Sequence, residues 1–255
     1  MNSINKLCLL WLIIAIVSGC ANNIHNGGND TNETKNEKIS KISTDLGIEY
    51  MRRGRYDIAL QKLEKALKFN KHSAIAHNAI AVLYQALKVD DKAELHYKIA
   101  IEINPTDSDL LNNYGQFLCK KGKWKEAEKN FLKALENPVY QKPEIPYTNA
   151  GLCLLKYNQL AKSESYFRQA LQKNPKFPRA LYHMAELSYK QRRYEQANSY
   201  LKRYDEIAKH TPQSLWLRIR VARGMGNKDA EASYALLLRN SFPDSKETQL
   251  LNQSE

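Results

Sequence analysis

The sequence predicts an all-α solenoid of about six helix-turn-helix repeats, and three observations carry that prediction. Apolar and small residues return in the same order every 34 residues through most of the 255-residue chain. Within each period the apolar positions recur at helical intervals, with Gly or Ala where two helices would approach closely. Pro105 and Pro175 fall just after a helix should stop, where a missing N–H does least harm.

Taken in order, the first repeat (40–73) carries Leu46, Gly47, Tyr50, Gly54, Tyr56, Ala59, Ala66 and Leu67. The second (74–107) repeats the residue types with Ile80, Ala81, Tyr84, Ala93, Tyr97, Ala100 and Ile101, and closes on Asn104 and Pro105. The third (108–141) has Tyr114, Gly115, Leu118, Gly122, Trp124, Ala127, Phe131, Ala134 and Leu135. Two inserted residues, Lys142 and Pro143, precede the fourth (144–177), which keeps Ala150, Gly151, Leu154, Phe167, Ala170 and Leu171 but has Ser163 at a position usually held by Ala. The fifth (178–211) keeps Leu181, Met184, Ala185, Ala197 and Leu201, with Tyr204 where a small residue is expected. A sixth, near 211–244, is degenerate. The pattern resembles the tetratricopeptide repeat, a pair of antiparallel helices per unit. A non-repeating helical bundle would not hold one period through so many matches. A solenoid buries its core between neighbouring repeats, so the length does not imply two globular domains.

The N-terminus has a different character. Lys6 precedes an apolar run from Leu7 to Val17, too short for a permanent membrane span and shaped like a signal peptide, here residues 1–19. The run ends in Val17-Ser18-Gly19-Cys20, which resembles a bacterial lipobox. That resemblance implies acylation of Cys20, cleavage before it, and, with Ala21 next, transfer to the outer membrane. Several acyl chains on one residue anchor stably where one would be marginal. Residues 20–39 hold the lipidated Cys and a polar stretch of Asn, Gly, Thr, Lys and Glu, expected to be a disordered tether with a reach of roughly 25 Å. The solenoid is then expected over 40–255.

Export would leave Cys119 and Cys153 in an oxidising compartment. They fall on the first helices of consecutive repeats, two positions apart in register once the insertion is allowed for. Neighbouring first helices pack side by side, so a disulfide is plausible and would contribute roughly 3–4 kcal/mol on the chain-entropy model. The alternative is two separately buried thiols. The bridge is favoured because free thiols are uncommon outside the cytosol.

No catalytic constellation, cofactor motif or metal-ligand set stands out. The six His residues are scattered, and His72 and His77 are five positions apart, the wrong step for one helical face. There is no Gly-rich phosphate loop after a strand and no recognisable nucleophile context, so neither catalysis nor a small-molecule substrate is expected. The net charge of +12 raises the question of nucleic acid, but Lys residues alternate with acidic ones, as in Lys123, Lys125, Glu126, Glu128 and Lys129, the pattern of a solvated helical face. Nucleic acid is therefore not an expected partner. The charge is better suited to steering an acidic partner.

Protein binding is what remains. In this repeat class the second, fifth, ninth and twelfth places of each first helix line the concave side. The stripes read Lys41, Thr44, Ile48 and Met51, then Ile75, Asn78, Val82 and Gln85, then Asp109, Asn112, Gln116 and Cys119, then Ile145, Thr148, Leu152 and Leu155. Ile48, Met51, Ile75 and Val82 would offer an apolar groove, rimmed by Arg52, Asn78 and Gln85, suited to an amphipathic helix or an extended peptide. The competing reading is that local packing covers them. Asn113 and Asn149 occupy one equivalent position and could bond a bound backbone or the adjacent turn.

The lipobox, the polar tether, Asn112-Asn113-Tyr114-Gly115 with Cys119, Gly151-Leu152-Cys153, and a tail of Leu237-Leu238-Arg239 and Phe242-Pro243-Asp244-Ser245 together resemble the type IV pilus biogenesis and stability lipoproteins, the PilF/PilW pilotin family. The resemblance implies a lipid-anchored outer-membrane protein facing the periplasm that binds secretin subunits of the pilus system and promotes their placement or multimerisation. The main alternative is a repeat lipoprotein that scaffolds peptidoglycan hydrolases or a periplasmic protease.

Overall fold

Thirteen α-helices and no strands occur among the described residues, 34–254, of the computed structural model. They are α1 (Lys35–Arg52), α2 (Tyr56–Phe69), α3 (Ala74–Ala86), α4 (Asp90–Ile103), α5 (Ser108–Lys120), α6 (Trp124–Ala134), α7 (Glu144–Lys156), α8 (Leu160–Lys173), α9 (Pro178–Lys190), α10 (Tyr194–Asp205), α11 (Pro212–Gly224), α12 (Lys228–Ser241) and α13 (Lys246–Gln253). Odd and even helices pair as antiparallel hairpins from α1 to α12. Each second helix also packs on the first helix of the next repeat, and the first helices α1, α3, α5, α7, α9 and α11 lie side by side. The tetratricopeptide solenoid expected from the periodicity is the fold found.

The turn inside each hairpin shows why the period survives changes of residue. Gly54, Gly122 and Gly226 have φ of 71°, 87° and 70°, and Lys88, Asn158 and Arg192 occupy the corresponding turns at φ 60°, 58° and 59°. Each such residue ends a first helix in the left-handed region, which Gly adopts without steric cost and other residues at about 1 kcal/mol or more. Two long basic side chains in that region are thus held by the packing of the helices they join. Between repeats, Asn104 and Asn174 leave α4 and α8 in extended conformations, and their side chains accept from the N–H of Thr106 and Lys176.

Within a hairpin the helices meet where one has no side chain. A Cβ on Gly115 would lie 2.7 Å from Phe131 Cε1, and one on Gly151 would lie 2.6 Å from Phe167 Cε1. The small residue on the first helix therefore makes the seat for an aromatic ring on the second. Ser163, read as an irregularity, is wholly buried and donates to the Gly151 carbonyl at 2.8 Å, so its hydroxyl is satisfied. Tyr204 fills the gap at the end of repeat five, with Phe167, Leu181 and Met184 in the same cluster.

Two boundaries differ from expectation. The tether expected to reach residue 39 ends earlier, because α1 starts at Lys35. Ser40, Ser43, Thr44 and Gly47 anchor that helix by burial, and the exposed turn Lys35–Lys38 continues it N-terminally with Glu37 in the first turn, where an acidic residue favours the helix dipole. After the degenerate sixth repeat, α13 adds a helix capped by Ser245, whose Oγ accepts from Thr248 N, and it packs on α11 and α12. The signal peptide, Cys20 and the tether up to residue 33 lie outside the described residues.

Repeat two contains a histidine pair. His77 Nδ1 and His96 Nδ1 are 2.9 Å apart, and His77 Nε2 is 3.2 Å from the Lys71 carbonyl. A carbonyl can only accept, which assigns the His77 proton to Nε2 and makes His96 Nδ1 the donor between the rings. A further proton on His77 would fall on Nδ1 and set two N–H groups against each other, and one on His96 Nε2 would place a charge in this partly buried pair. Burial and the neighbouring His77 and Lys92 charges bring His96 down from 6.5 to about 4, and burial also lowers His77. The unfolded chain therefore takes up protons below 6.5 that the folded pair resists, and stability should fall as pH drops from about 6.5 towards 4. Urea midpoints at about pH 7 and pH 5 should show this loss, and His96→Phe should reduce it. Equal sensitivity in the parent and the variant would remove the pair as the cause.

Candidate functional site

The exposed side chains of the first helices form the candidate partner face. Ile48 and Met51 of α1 are half-buried against a core of Ala59, Leu63, Ala79, Ile80 and Leu83. Val82 of α3 packs part of its surface on the next core, with Ala81, Tyr97 and Phe117. Ile75, at the start of α3, is 60% exposed. Ile75 and Val82 stand seven positions apart on one helix, a rise of about 10 Å, so the apolar residues form a band along the face and not a single pocket.

The expected polar rim is largely engaged within the molecule. Gln85 accepts a hydrogen bond from Tyr97 Oη at 3.1 Å, Asn78 accepts from Asn113 Nδ2 at 3.3 Å, and Arg52 reaches Glu49 at 3.7 Å. Arg52 remains exposed, so this ion pair is screened and weak. Thr44, Asn112 and Thr148, placed on the binding stripes by their spacing, are buried. Thr44 and Thr148 turn their hydroxyls back to the Ser40 and Glu144 carbonyls of their own helices, and Asn112 accepts from Asn149 of the next first helix.

Asn113 and Asn149 have a structural use that their sequence positions did not disclose. Asn149 Nδ2 donates to Asn112 Oδ1 at 2.8 Å, and Asn149 Oδ1 accepts from Arg179 Nη2 at 3.3 Å. With Asn113 bonded to Asn78, these amides link α3 to α5, α5 to α7 and α7 to α9. They bond neither the adjacent turn nor an open site. A buried Asn left unpaired would cost about 1–3 kcal/mol, which explains why the partners come as a chain.

Cys119 of α5 and Cys153 of α7 have Cα atoms 5.8 Å apart and sulfurs at 2.03 Å. They meet across the adjacent first helices α5 and α7 despite the two-position difference in register. Tyr157 Oη donates to the Cys119 carbonyl at 3.1 Å beside them. Among the described residues, no group of three or more His, Cys, Asp or Glu side chains could hold a metal ion.

Helix pairs on a 34-residue period, small residues seating aromatic rings, and a face of adjoining first helices define a tetratricopeptide-repeat protein. The tetratricopeptide-repeat family models match residues 154–218 and 96–129, and a TPR-repeat model matches 47–88. The chain belongs to the PilF/PilW family of type IV pilus assembly proteins. It is 33% identical over 204 residues to the type IV pilus assembly protein PilF of Pseudomonas aeruginosa, covering 80% of this chain and 81% of that one. The crystal structure of PilW, a type IV pilus biogenesis factor, superposes with a TM-score of 0.77 at 34% identity, over 84% of this chain and 98% of PilW. The structure of Pseudomonas aeruginosa PilF gives a TM-score of 0.77 at 31% identity, over 87% of this chain and all of that one. This membership places the protein in type IV pilus biogenesis.

Proposed function

We propose that the protein is an outer-membrane pilotin that binds the type IV pilus secretin and promotes its localisation and multimerisation. The observation that carries this reading is similarity to pilus assembly proteins across most of the repeat body. In this reading Cys20 carries the lipid and holds the protein at the outer membrane, facing the periplasm. The Cys119–Cys153 bridge then forms in that oxidising compartment. The segment between Cys20 and α1 provides reach, and the band of Ile48, Met51, Ile75 and Val82 takes an apolar stretch of the secretin. Its exposed Ile75 supports the placement. Holding both partners at one surface raises their effective concentration and favours assembly without further contacts.

Capture of secretin from an outer-membrane extract by the immobilised full chain tests the reading, with the secretin identified by mass spectrometry. Ile75→Asp, which changes an exposed side chain, and the pair Ile48→Asp with Val82→Asp should each lower recovery about tenfold or more while circular dichroism stays helical. Cys20→Ser should bind equally well in solution but leave secretin misplaced in cells. Recovery of peptidoglycan hydrolases or a protease in place of secretin would favour the scaffold reading. Unchanged recovery by folded Ile75→Asp would remove this band as the docking surface.

A further inference from the structure

The first-helix face changes character towards the C-terminus. In repeats one and two half of its places are apolar and none is aromatic, whereas the matching places of α9 and α11 hold Arg179, Tyr182, Glu186 and Tyr189, then Gln213, Trp216, Arg220 and Arg223. Arg220 is the centre of this change. Its guanidinium lies 4.8 Å from the Tyr189 ring centre and 5.5 Å from that of Trp216. Both rings are fixed from behind: Tyr189 packs on Ala185, Ala197, Leu217 and Val221, and Trp216 on Leu215 and Ile219.

Arg220 is half-buried, and its Nε is shut off from solvent with no hydrogen-bond partner. Among the described residues it forms no ion pair. Nearby arginines of limited exposure do: Arg193 meets Glu164 at 2.7 Å, and Arg218 meets Asp205. Glu186, also on the face of α9, is occupied by His183 at 3.1 Å and Lys190 at 3.2 Å, which hold its carboxyl down at about 2. Tyr182 is pushed up to about 12 by burial and by the Glu186 charge, with Arg220 close enough to oppose the shift and Glu247 of α13 adding to it. A guanidinium that has lost part of its hydration and gained only two ring faces retains its planar fork of donors for a carboxylate.

We propose that Arg220, with Tyr189 and Trp216 as walls, binds an acidic side chain of a peptide segment that runs in extended form across repeats five and six. Charge complementarity selects this occupant. Arg179 supplies a second cation on the same face that has no carboxylate partner among the described residues, its Nη2 being spent on the neutral Asn149. The two arginines stand at the second and ninth places of adjacent first helices, an offset of about 10 Å along the axis and about 10 Å across. That diagonal corresponds to about four residues of extended chain, so acidic residues at that spacing would meet both. The net charge of +12 would speed the approach of such a segment. This surface is separate from the apolar band of repeats one and two.

The test measures fluorescence anisotropy of a fluorescein-labelled, C-terminally amidated decapeptide of alternating Glu and Ala, titrated with the full chain at low ionic strength. Saturable binding is expected, about tenfold weaker for Arg220→Gln and for the peptide with Gln in place of Glu. The Gln peptide needs no protein variant, so a folding defect cannot produce that result. The Ile75→Asp protein, changed at an exposed site of the apolar band, should bind the acidic peptide as the parent does, which separates this surface from the secretin reading. No saturable binding, equal binding of the Glu and Gln peptides, undiminished binding by Arg220→Gln, or loss of binding by folded Ile75→Asp would each overturn the proposal.

Discussion

Phe167→Ala is expected to lower stability by about 3–5 kcal/mol, among the largest losses that a single core truncation produces. Phe167 is fully buried at the junction of repeats four and five, where its ring fills the seat left by Gly151 and shares a cluster with Leu181, Met184 and Leu187. The His183 ring stacks on it at 5.7 Å. Removing the ring would open a void that no neighbour can collapse into, because the backbones of α7 and α8 are already in close approach. In a solenoid each repeat depends on its neighbours, so the loss should weaken both units flanking the junction. Urea denaturation of the parent and the variant measures the effect, with Leu132→Ala, a truncation at an exposed site, as the comparison. A loss below about 1 kcal/mol for Phe167→Ala would mean that the cluster is not the support described here.

Reduction of the Cys119–Cys153 bridge is expected to cost about 3–4 kcal/mol, from the loop-closure entropy regained by the unfolded chain. The bridged residues are 34 apart, and the loop they close contains the connection 135–143, whereas residues 70–73, 104–107 and 174–177 make shorter joins between repeats. The staple thus falls where the chain between adjacent repeats is longest. The urea midpoint should drop on adding reductant, and the double variant Cys119→Ala with Cys153→Ala should show the lower midpoint with or without it. A parent midpoint indifferent to reductant would argue that the cysteines contribute as packed thiols.

The repeat order, the hairpins and most of the core were legible in the sequence because helical periodicity is local. An apolar residue at every third or fourth place buries one face of its own helix whatever lies beyond. Gly115 and Gly151 were readable for the same reason, since an absent side chain opposite an aromatic one recurs at fixed spacing. The left-handed turns at Lys88 and Arg192 were not, because nothing in a long basic side chain favours that conformation. The early start of α1 was hidden by a polar turn whose composition suits coil as well as exposed helix.

What the tertiary structure alone decided was which surface residues remain available. Spacing placed Thr44, Asn112 and Thr148 on a binding stripe, and the folded chain buried them. Spacing assigned Gln85 and Asn78 to a rim, and Tyr97 and Asn113 took them as partners. The setting of Arg220 joins Trp216, four places back on its own helix and so readable from helical spacing, to Tyr189 of the preceding repeat, which no residue beside it in the chain implies. Periodicity specifies the angle at which a side chain leaves its helix; whether that direction meets water, a neighbouring helix or a polar partner depends on the distance and register between helices, which only the assembled packing sets.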